Sequence, residues 1–297
     1  MPKPDGLYEV GTQTFHFIDN NRDEVFPEDK NDKRELMVQI WYPAEHVNDK
    51  KGESLFPEDK EILEMYMQAY SQKFKLPEFA LDYWKYIRRN SYESAEILPS
   101  AKPYPLVLLS HGMGTGRFLH TSQAENLASH GYIVAAIDHT YSTMVTAFPD
   151  GKATGFKTEV NGDNFYDVGN SVGVTWTQDV EFVINQFEKL HSGTIQSKFK
   201  GTVDLNNIGI MGRSFGGATA FNAFYLNDNV KAGIDMDGTL HALENRDHIN
   251  KPFMFIKSGD FMDRVKKYEN EKELTDKISN ELSIMENVKK HGGNTGF

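Results

Sequence analysis

The chain has 297 residues, of which 39% are hydrophobic and 12% aromatic, so it can bury the core of one large domain and is neither disordered nor collagen-like. Its formal charge of −11 argues against nucleic acid or an anionic membrane as an electrostatic partner. No cysteine is present, which excludes disulfides and thiolate chemistry. The opening residues "MPKPDGLYEV" lack an apolar h-region, and no apolar run approaches ~18 residues. A cytoplasmic chain without an export signal or membrane span is expected.

Along the chain, "RELMVQIWYP" (Arg34–Pro43) predicts a strand from its alternating β-formers and closing proline. Glu53 to about Ser100 is polar and helical in composition but carries Met65, Tyr66, Met67, Tyr70, Phe74, Phe79, Tyr83, Trp84 and Tyr86. It is too long for a simple connection, and is expected to pack on the body as a helical, cap-like insertion. "YPLVLLSHGMG" (Tyr104–Gly114) reads as a buried parallel strand and its exit loop. A short helix follows, with Ser122 and Glu125 spaced as a capping box and Gly131 placed as the residue after its end. "YIVAAID" (Tyr132–Asp138) is a second buried strand, and "FPDGK" (Phe148–Lys152) the tip of a hairpin.

A longer helix is predicted with Trp176, Val180, Val183, Ile184, Phe187 and Leu190 on one face. Strands at "NIGIM", "AGIDMD" (Ala232–Asp237) and "PFMFIKSGD" (Pro252–Asp260) come next, then a closing helix marked by Leu274, Ile278, Leu282, Met285 and Val288. Strands alternating with helices give an α/β fold: a mostly parallel sheet flanked by helices on both faces, in one domain spanning 1–297 with the insertion at about 53–100.

The residues that carry chemistry lie in "NIGIMGRSFGGATA" (Asn207–Ala220), where Gly212-Arg213-Ser214-Phe215-Gly216 fits G-x-S-x-G between a strand and a helix of small residues. A serine on that turn is strained and crowded, and glycines two residues either side remove the collisions. Its hydroxyl then stands over a helix N-terminus, where backbone N–H groups favour developing negative charge. In hydrolases of this architecture the loop after an early strand, here Ser110-His111-Gly112-Met113-Gly114, supplies one N–H of an oxyanion hole, and the residue after the serine supplies the other. The donors are therefore Met113 N–H and Phe215 N–H, with His111 hydrogen-bonded inside its loop rather than acting as a base. For the acid, Asp237 and Asp260 stand equal on position alone, and Asp235 reads as a structural strand residue.

"SHGMGTGRFLHTSQAENLASHGYIVAAIDH", "GRSFGGATA" and "AGIDMDG" resemble the serine-dependent platelet-activating factor acetylhydrolases of plasma and intracellular type II, and their bacterial relatives. "ELMVQIWYPA" and "KPFMFIKSGDF" match in order and spacing, so the resemblance runs from about Gly6 to Phe261. It implies an α/β-hydrolase fold and calcium-independent cleavage of short or oxidised acyl chains from phospholipids, with simple carboxylesterases among bacterial members. It favours the aspartate 23 residues after the serine, Asp237, over Asp260. It also implies a histidine after the last strand. His241 and His248 come too early; the chain stops as the family's final strand begins, so that strand and the histidine beyond it are expected to be missing, with His291 in "KKHGGNTGF" as the base, or a protein that is not a working hydrolase, as the alternatives. A bare sheet edge could pair with a second copy. No metal or cofactor motif is present. The expected function is a serine ester hydrolase acting on a small-molecule ester or phospholipid, with the aromatic insertion as a candidate lipid-surface contact. The alternatives are a general short-chain carboxylesterase and a non-catalytic binding protein on the same scaffold.

Overall fold

The structure, a computed structural model, describes residues 1–26, 32–45, 47, 52–159, 164–241, 249–267, 272–290 and 294–296. The chain starts with a long antiparallel pair, β1 (Glu9–Asp23) and β2 (Lys33–Ala44). An insertion follows, with helix α1 (Lys60–Phe74), a 3-10 helix (Glu78–Tyr86) and the short β3 (Ser91–Glu93). The alternating part runs β4 (Tyr104–Ser110), α2 (Thr121–Ser129), β5 (Ile133–Asp138), the hairpin β6 (Val145–Ala147) and β7 (Ala153–Gly155), and α3 (Phe165–Ser192). It continues through β8 (Val203–Arg213), α4 (Phe215–Leu226), β9 (Val230–Met236), β10 (Phe253–Ile256), α5 (Phe261–Lys267), α6 (Lys272–Lys290) and β11 (Asn294–Gly296). The main sheet has the order β11-β10-β9-β8-β4-β5-β2-β1-β3. It is parallel from β11 to β5, and β2 joins it antiparallel to both β5 and β1. No helix among the described residues is long and apolar enough to cross a membrane.

Side-chain alternation sorts the central strands onto two faces. Leu106, Leu108, Ile133, Ile137, Ile208 and Ile210 point into the large core with α3, α4 and α6. Leu109, Val134, Ala136 and Trp41 point the other way and meet Ala124 and Ala128 of α2. The α3 stripe expected from the sequence lies in the core, with Trp176, Val180, Val183, Ile184, Phe187 and Leu190 all 2% exposed or less. The hairpin at Phe148–Lys152 also forms, its Gly151 at φ 86°.

Four details depart from expectation. β1 was not foreseen, because Thr, Gln, His, Asn and Asp dilute its apolar alternation; it is held by pairing with β2 instead. Among the described residues, coverage is incomplete on one face over the middle of the sheet. Beside α2, the strands β4, β8 and β9 line a groove of about 570 Å³ with Val107, Gly209, Met211, Ala232 and Ile234. Ser122 and Glu125 make no capping box: the N-cap of α2 is His120, two residues earlier, and Glu125, fully buried, accepts hydrogen bonds from Asn90 N–H (2.7 Å) and Ser91 Oγ (2.8 Å). The carboxylate ties down the insertion's exit rather than the helix's start. Finally, the closing strand is not missing: Asn294–Gly296 pair with Met254–Ile256 as a three-residue β11.

The insertion brings its own small core. Phe56, Tyr66, Met67, Tyr70 and Leu81 pack with Phe118 and Val145 of the body, and Tyr66 donates its hydroxyl hydrogen bond to Val145 C=O at 3.0 Å. Phe56 stacks on Trp84 with centroids 5.3 Å apart and meets Tyr66, Tyr70 and Phe118 within 6.4 Å. Removing that ring should leave a cavity that aromatic neighbours cannot close. Phe56→Ala is therefore expected to lower stability in urea unfolding by about 3–5 kcal/mol and to hasten trypsin cleavage within the insertion. A loss below about 1 kcal/mol would mean that the insertion's packing is loose.

Candidate active site

The order of the sheet sets the site. From β4 the chain moves outward to β5, then returns past β4 to β8, so the direction of winding reverses between β4 and β8. Loops leaving the carboxyl ends of such strands diverge and open a crevice. Register places Ser110 beside Gly212, and Gly212 beside Asp235. The loops carrying Met113, Ser214 and Asp237 thus leave three adjacent strands at one end of the sheet.

Ser214 has φ 53° and ψ −126°, a strained conformation for a residue with a Cβ, costing roughly 1–3 kcal/mol. Its N–H donates to Met236 C=O at 2.9 Å, and its C=O accepts from Gly217 N–H at 2.8 Å, so both sides of the turn are pinned. The flanking glycines are steric necessities: a Cβ on Gly212 would lie 2.0 Å from Gly216 O, and one on Gly216 would lie 2.3 Å from the carbonyl oxygens of Ser110 and His111. Across the crevice, a Cβ on Gly112 would stand 3.5 Å from Ser214 Cβ. Phe215 opens α4, where the first N–H groups have no helical acceptor. Neither Phe215 N–H nor Met113 N–H has a hydrogen-bond acceptor among the described residues. The side chains of these two residues share one cluster with Val172 and Trp176.

The three aspartates separate by environment. Asp237 is half-buried at φ 58°, its N–H bonded to Ile256 C=O (2.7 Å), and its Oδ1 accepts from Ser258 N–H (3.0 Å) and Ser258 Oγ (2.8 Å). Asp235 is fully buried and points under α4, where Gly238 N–H donates to it at 2.7 Å and Lys257 Nζ lies 3.2 Å away. Burial pushes its carboxyl up to about 7, against the pull of Lys257. Lys257 also bonds Glu281 at 2.9 Å, a structural triad that fits the expected role of Asp235. Asp260 is exposed beyond the end of β10.

Among the described residues no histidine hydrogen-bonds Ser214 or Asp237. His291 and His248 lie outside the described residues. His241 is buried behind the site, stacked on Phe215 at 4.7 Å and pressed against Gly169 and Gly173 of α3. His111 is bonded within its loop as expected: Nδ1–H donates to Gly112 C=O at 2.8 Å and Nε2 accepts from His139 N–H at 3.1 Å. Burial, then His139, lowers its pKa well below the usual value and keeps the ring neutral.

The sequence reading missed the group that holds this loop. His139, just past β5, accepts from Ser110 Oγ at Nε2 (3.0 Å) and donates from Nδ1 to Asp179 Oδ2 (2.9 Å), with its ring stacked 3.9 Å from Trp176. All three polar residues are fully buried. Asp179 also receives Arg34 Nη2 at 2.6 Å and Nε at 3.0 Å, with Arg22 Nη2 at 2.9 Å; Arg34 in turn bonds Glu24 at 3.0 Å. Burial alone would raise the Asp179 pKa, but Arg34 and His139 reverse that and hold it well below the carboxylate range. Burial lowers His139, so it is neutral. One signal was available in the sequence: Asp179 interrupts the apolar stripe between Trp176 and Val180. Asp179→Asn should cost about 3–5 kcal/mol in urea unfolding at pH 7, because it leaves buried guanidinium groups underpaired. A depressed folded-state pKa means the contribution is present above the unfolded value near ~4 and disappears as pH falls below it. The gap between parent and variant should therefore narrow in acid; a gap that stays constant from pH 7 to 3 would show that the fold does not depress the Asp179 pKa.

Known proteins align with this arrangement. The family "Platelet-activating factor acetylhydrolase, isoform II" matches residues 1–162 and 173–291. The chain is 24% identical over 292 residues to "Platelet-activating factor acetylhydrolase" of Canis lupus familiaris, covering 88% of this chain and 60% of that protein. It is 26% identical over 183 residues to the protein of the same name from Cavia porcellus, covering 55% and 42% respectively. A "Probable 1-alkyl-2-acetylglycerophosphocholine esterase" of Arthroderma benhamiae is 31% identical over 137 residues, 46% of this chain and 32% of that one. The chain thus spans about half the length of the curated relatives it matches. In structure it is similar to a ferulic acid esterase from Streptomyces cinnamoneus, with a TM-score of 0.72 at 25% identity, over 98% of this chain and 73% of the other. Since the family match runs through every strand and loop that forms the crevice, the chain belongs to the platelet-activating factor acetylhydrolase isoform II family.

Proposed function

We propose that this protein is a serine ester hydrolase that moves a short or oxidised acyl group from a phospholipid or simple ester to Ser214, and then to water. The observation that carries this reading is the strained Ser214 facing Gly112, between two backbone N–H groups, Met113 and Phe215, that have no acceptor of their own among the described residues. In the proposed cycle Ser214 Oγ bonds to the ester carbonyl carbon as its proton passes to a histidine. The carbonyl oxygen gains the negative charge and takes the two N–H bonds. Collapse breaks the bond to the alcohol, which leaves with the proton from the imidazolium; water then repeats the sequence on the acyl-enzyme. Asp237 is the proposed acid, supported by its half-buried carboxylate next to the serine turn, where Asp260 is exposed. His291 is the proposed base. The likeness to a ferulic acid esterase supports a second reading, a general carboxylesterase, which a preference for simple esters over phospholipid would identify.

The insertion, proposed as a cap, exposes Phe79, Tyr83 and Tyr86 at 75%, 61% and 78%. Aromatics this exposed on one short helix support contact with a lipid surface. Replacing all three by Ala should reduce sedimentation with phosphatidylcholine vesicles by about tenfold or more; a parent protein that stays in the supernatant would remove the lipid-surface proposal.

Hydrolysis of p-nitrophenyl acetate tests the main reading. The parent chain should turn over, Ser214→Ala should fall by about 10⁶-fold, and His291→Ala should fall comparably. Turnover that survives Ser214→Ala would rule out this nucleophile. A parent as slow as Ser214→Ala would point to a binding scaffold. Loss in Ser214→Ala alone would send the search for the base to another histidine.

A further inference from the structure

One peptide group joins the proposed nucleophile to the proposed acid. Met236 C=O accepts from Ser214 N–H at 2.9 Å, and the N–H of that same peptide, carried by Asp237, donates to Ile256 C=O at 2.7 Å. The backbone of Asp237 is therefore clamped between the serine turn and the end of β10. Its φ of 58° is a left-handed conformation that aspartate tolerates better than most side chains. The clamp does not fix rotation about χ1 and χ2, which decides where the carboxylate points.

That choice is made beyond β10. Ser258 N–H (3.0 Å) and Ser258 Oγ (2.8 Å) both donate to the same oxygen, Asp237 Oδ1. A carboxylate oxygen accepts near its own plane and has two lone pairs, so two donors from one residue occupy one oxygen and favour one plane for the group. Both bonds are charge-assisted, and so stronger than those between neutral partners. The imidazole of the proposed base is thereby directed to Oδ2.

Ser258 can hold this position because the residue before it is locked elsewhere. Lys257 is buried and reaches Asp235 Oδ2 at 3.2 Å and Glu281 of α6 at 2.9 Å. Two consecutive residues beyond β10 thus serve two aspartates at the end of β9, Lys257 for Asp235 and Ser258 for Asp237. Strand register sets the match, since Met236 lies beside Ile256 in the parallel pair. Ser258 is half-buried, so its hydroxyl is partly shielded from competing water.

We propose that Ser258 is a positioning residue for the ester hydrolysis: its hydroxyl sets the rotamer of the Asp237 carboxylate, and through it the tautomer and orientation of the base. The inference rests on the reading of Ser214 as nucleophile and Asp237 as acid. It implies a loss in turnover without a loss in substrate binding, because an oriented base counts in the transition state and not in the ground state.

Hydrolysis of p-nitrophenyl acetate by the full chain tests this as a double-mutant cycle. Ser258→Ala should lower kcat by about tenfold and leave KM within about twofold of the parent. Ser258→Thr keeps the hydroxyl and should restore kcat to within about threefold of the parent. Asp237→Asn should fall by about 10⁴-fold, and adding Ser258→Ala to it should change kcat by less than about twofold, because no carboxylate is left to orient. Three results overturn the proposal while leaving Ser214 and Asp237 in their roles: a Ser258→Ala kcat equal to the parent's, a Ser258→Thr variant as slow as Ser258→Ala, or the same tenfold loss repeated in the Asp237→Asn background. A Ser258→Ala loss confined to KM also overturns it, since the side chain would then be acting on substrate binding. An Asp237→Asn variant as active as the parent, or a parent without turnover, removes the underlying reading and the proposal with it.

Discussion

The ionised carboxylate of Asp179, buried at the centre of a charge network, is the interaction on which the rest of the arrangement depends. It sits on α3, yet receives Arg34 from β2, Arg22 from β1 and His139 from the end of β5. A bare carboxylate there would cost several kcal/mol in lost hydration. Two guanidinium groups and an imidazole N–H offset that cost, and Glu24, paired with Arg34, supplies a second carboxylate for the two guanidinium groups. Such networks add little net stability compared with apolar packing, but they penalise every arrangement in which a partner is missing. The N-terminal hairpin, α3 and the sheet are therefore fixed in one relation. Through His139 that relation extends to the Ser110–Gly112 loop, because the same residue binds Ser110 by its ring and His111 by its backbone.

Against this fixed loop the serine turn is pressed closely. Gly216 approaches the carbonyls of Ser110 and His111 so nearly that no side chain fits, and Gly217 does the same to Asp235. The strain in Ser214 persists because strands on both sides, a buried helix and two backbone hydrogen bonds over-determine its conformation. Trp176 completes the support from below, touching His111, His139 and Phe215 with one ring system. The donors of the proposed oxyanion hole are thus positioned by packing rather than by hydrogen bonds of their own, which leaves them open to a ligand.

The insertion is a second packing unit beside the sheet. Its aromatic core is nearly separate from the main one, joined to the body through Phe118 and Val145 and tied at its exit by Glu125. A unit attached this way can differ among relatives without disturbing the sheet, and in this chain it brings a lysine to the site's edge.

Much of this was legible in the sequence, for physical reasons. Continuous apolar runs specify buried parallel strands, and β4 and β5 lie where those runs predict. A 3.6-residue stripe specifies a core-facing helix, and α3 buries every residue of that stripe. Glycines at fixed offsets from Ser214 record collisions within a few residues, so the turn could be read locally. The rest depended on contacts distant in sequence. β1 has a weak pattern and exists because β2 pairs with it. Glu125 has the spacing of a helix cap, but Asn90 and Ser91, 35 and 34 residues away, take its carboxylate. The Ser110–His139–Asp179 chain joins three separate segments, and the contact of Lys73 with the Met113 carbonyl joins the insertion to the loop after β4. Local periodicity and steric exclusion are written in neighbouring residues, whereas the partners of buried charges are decided only when the sheet order brings remote strands side by side.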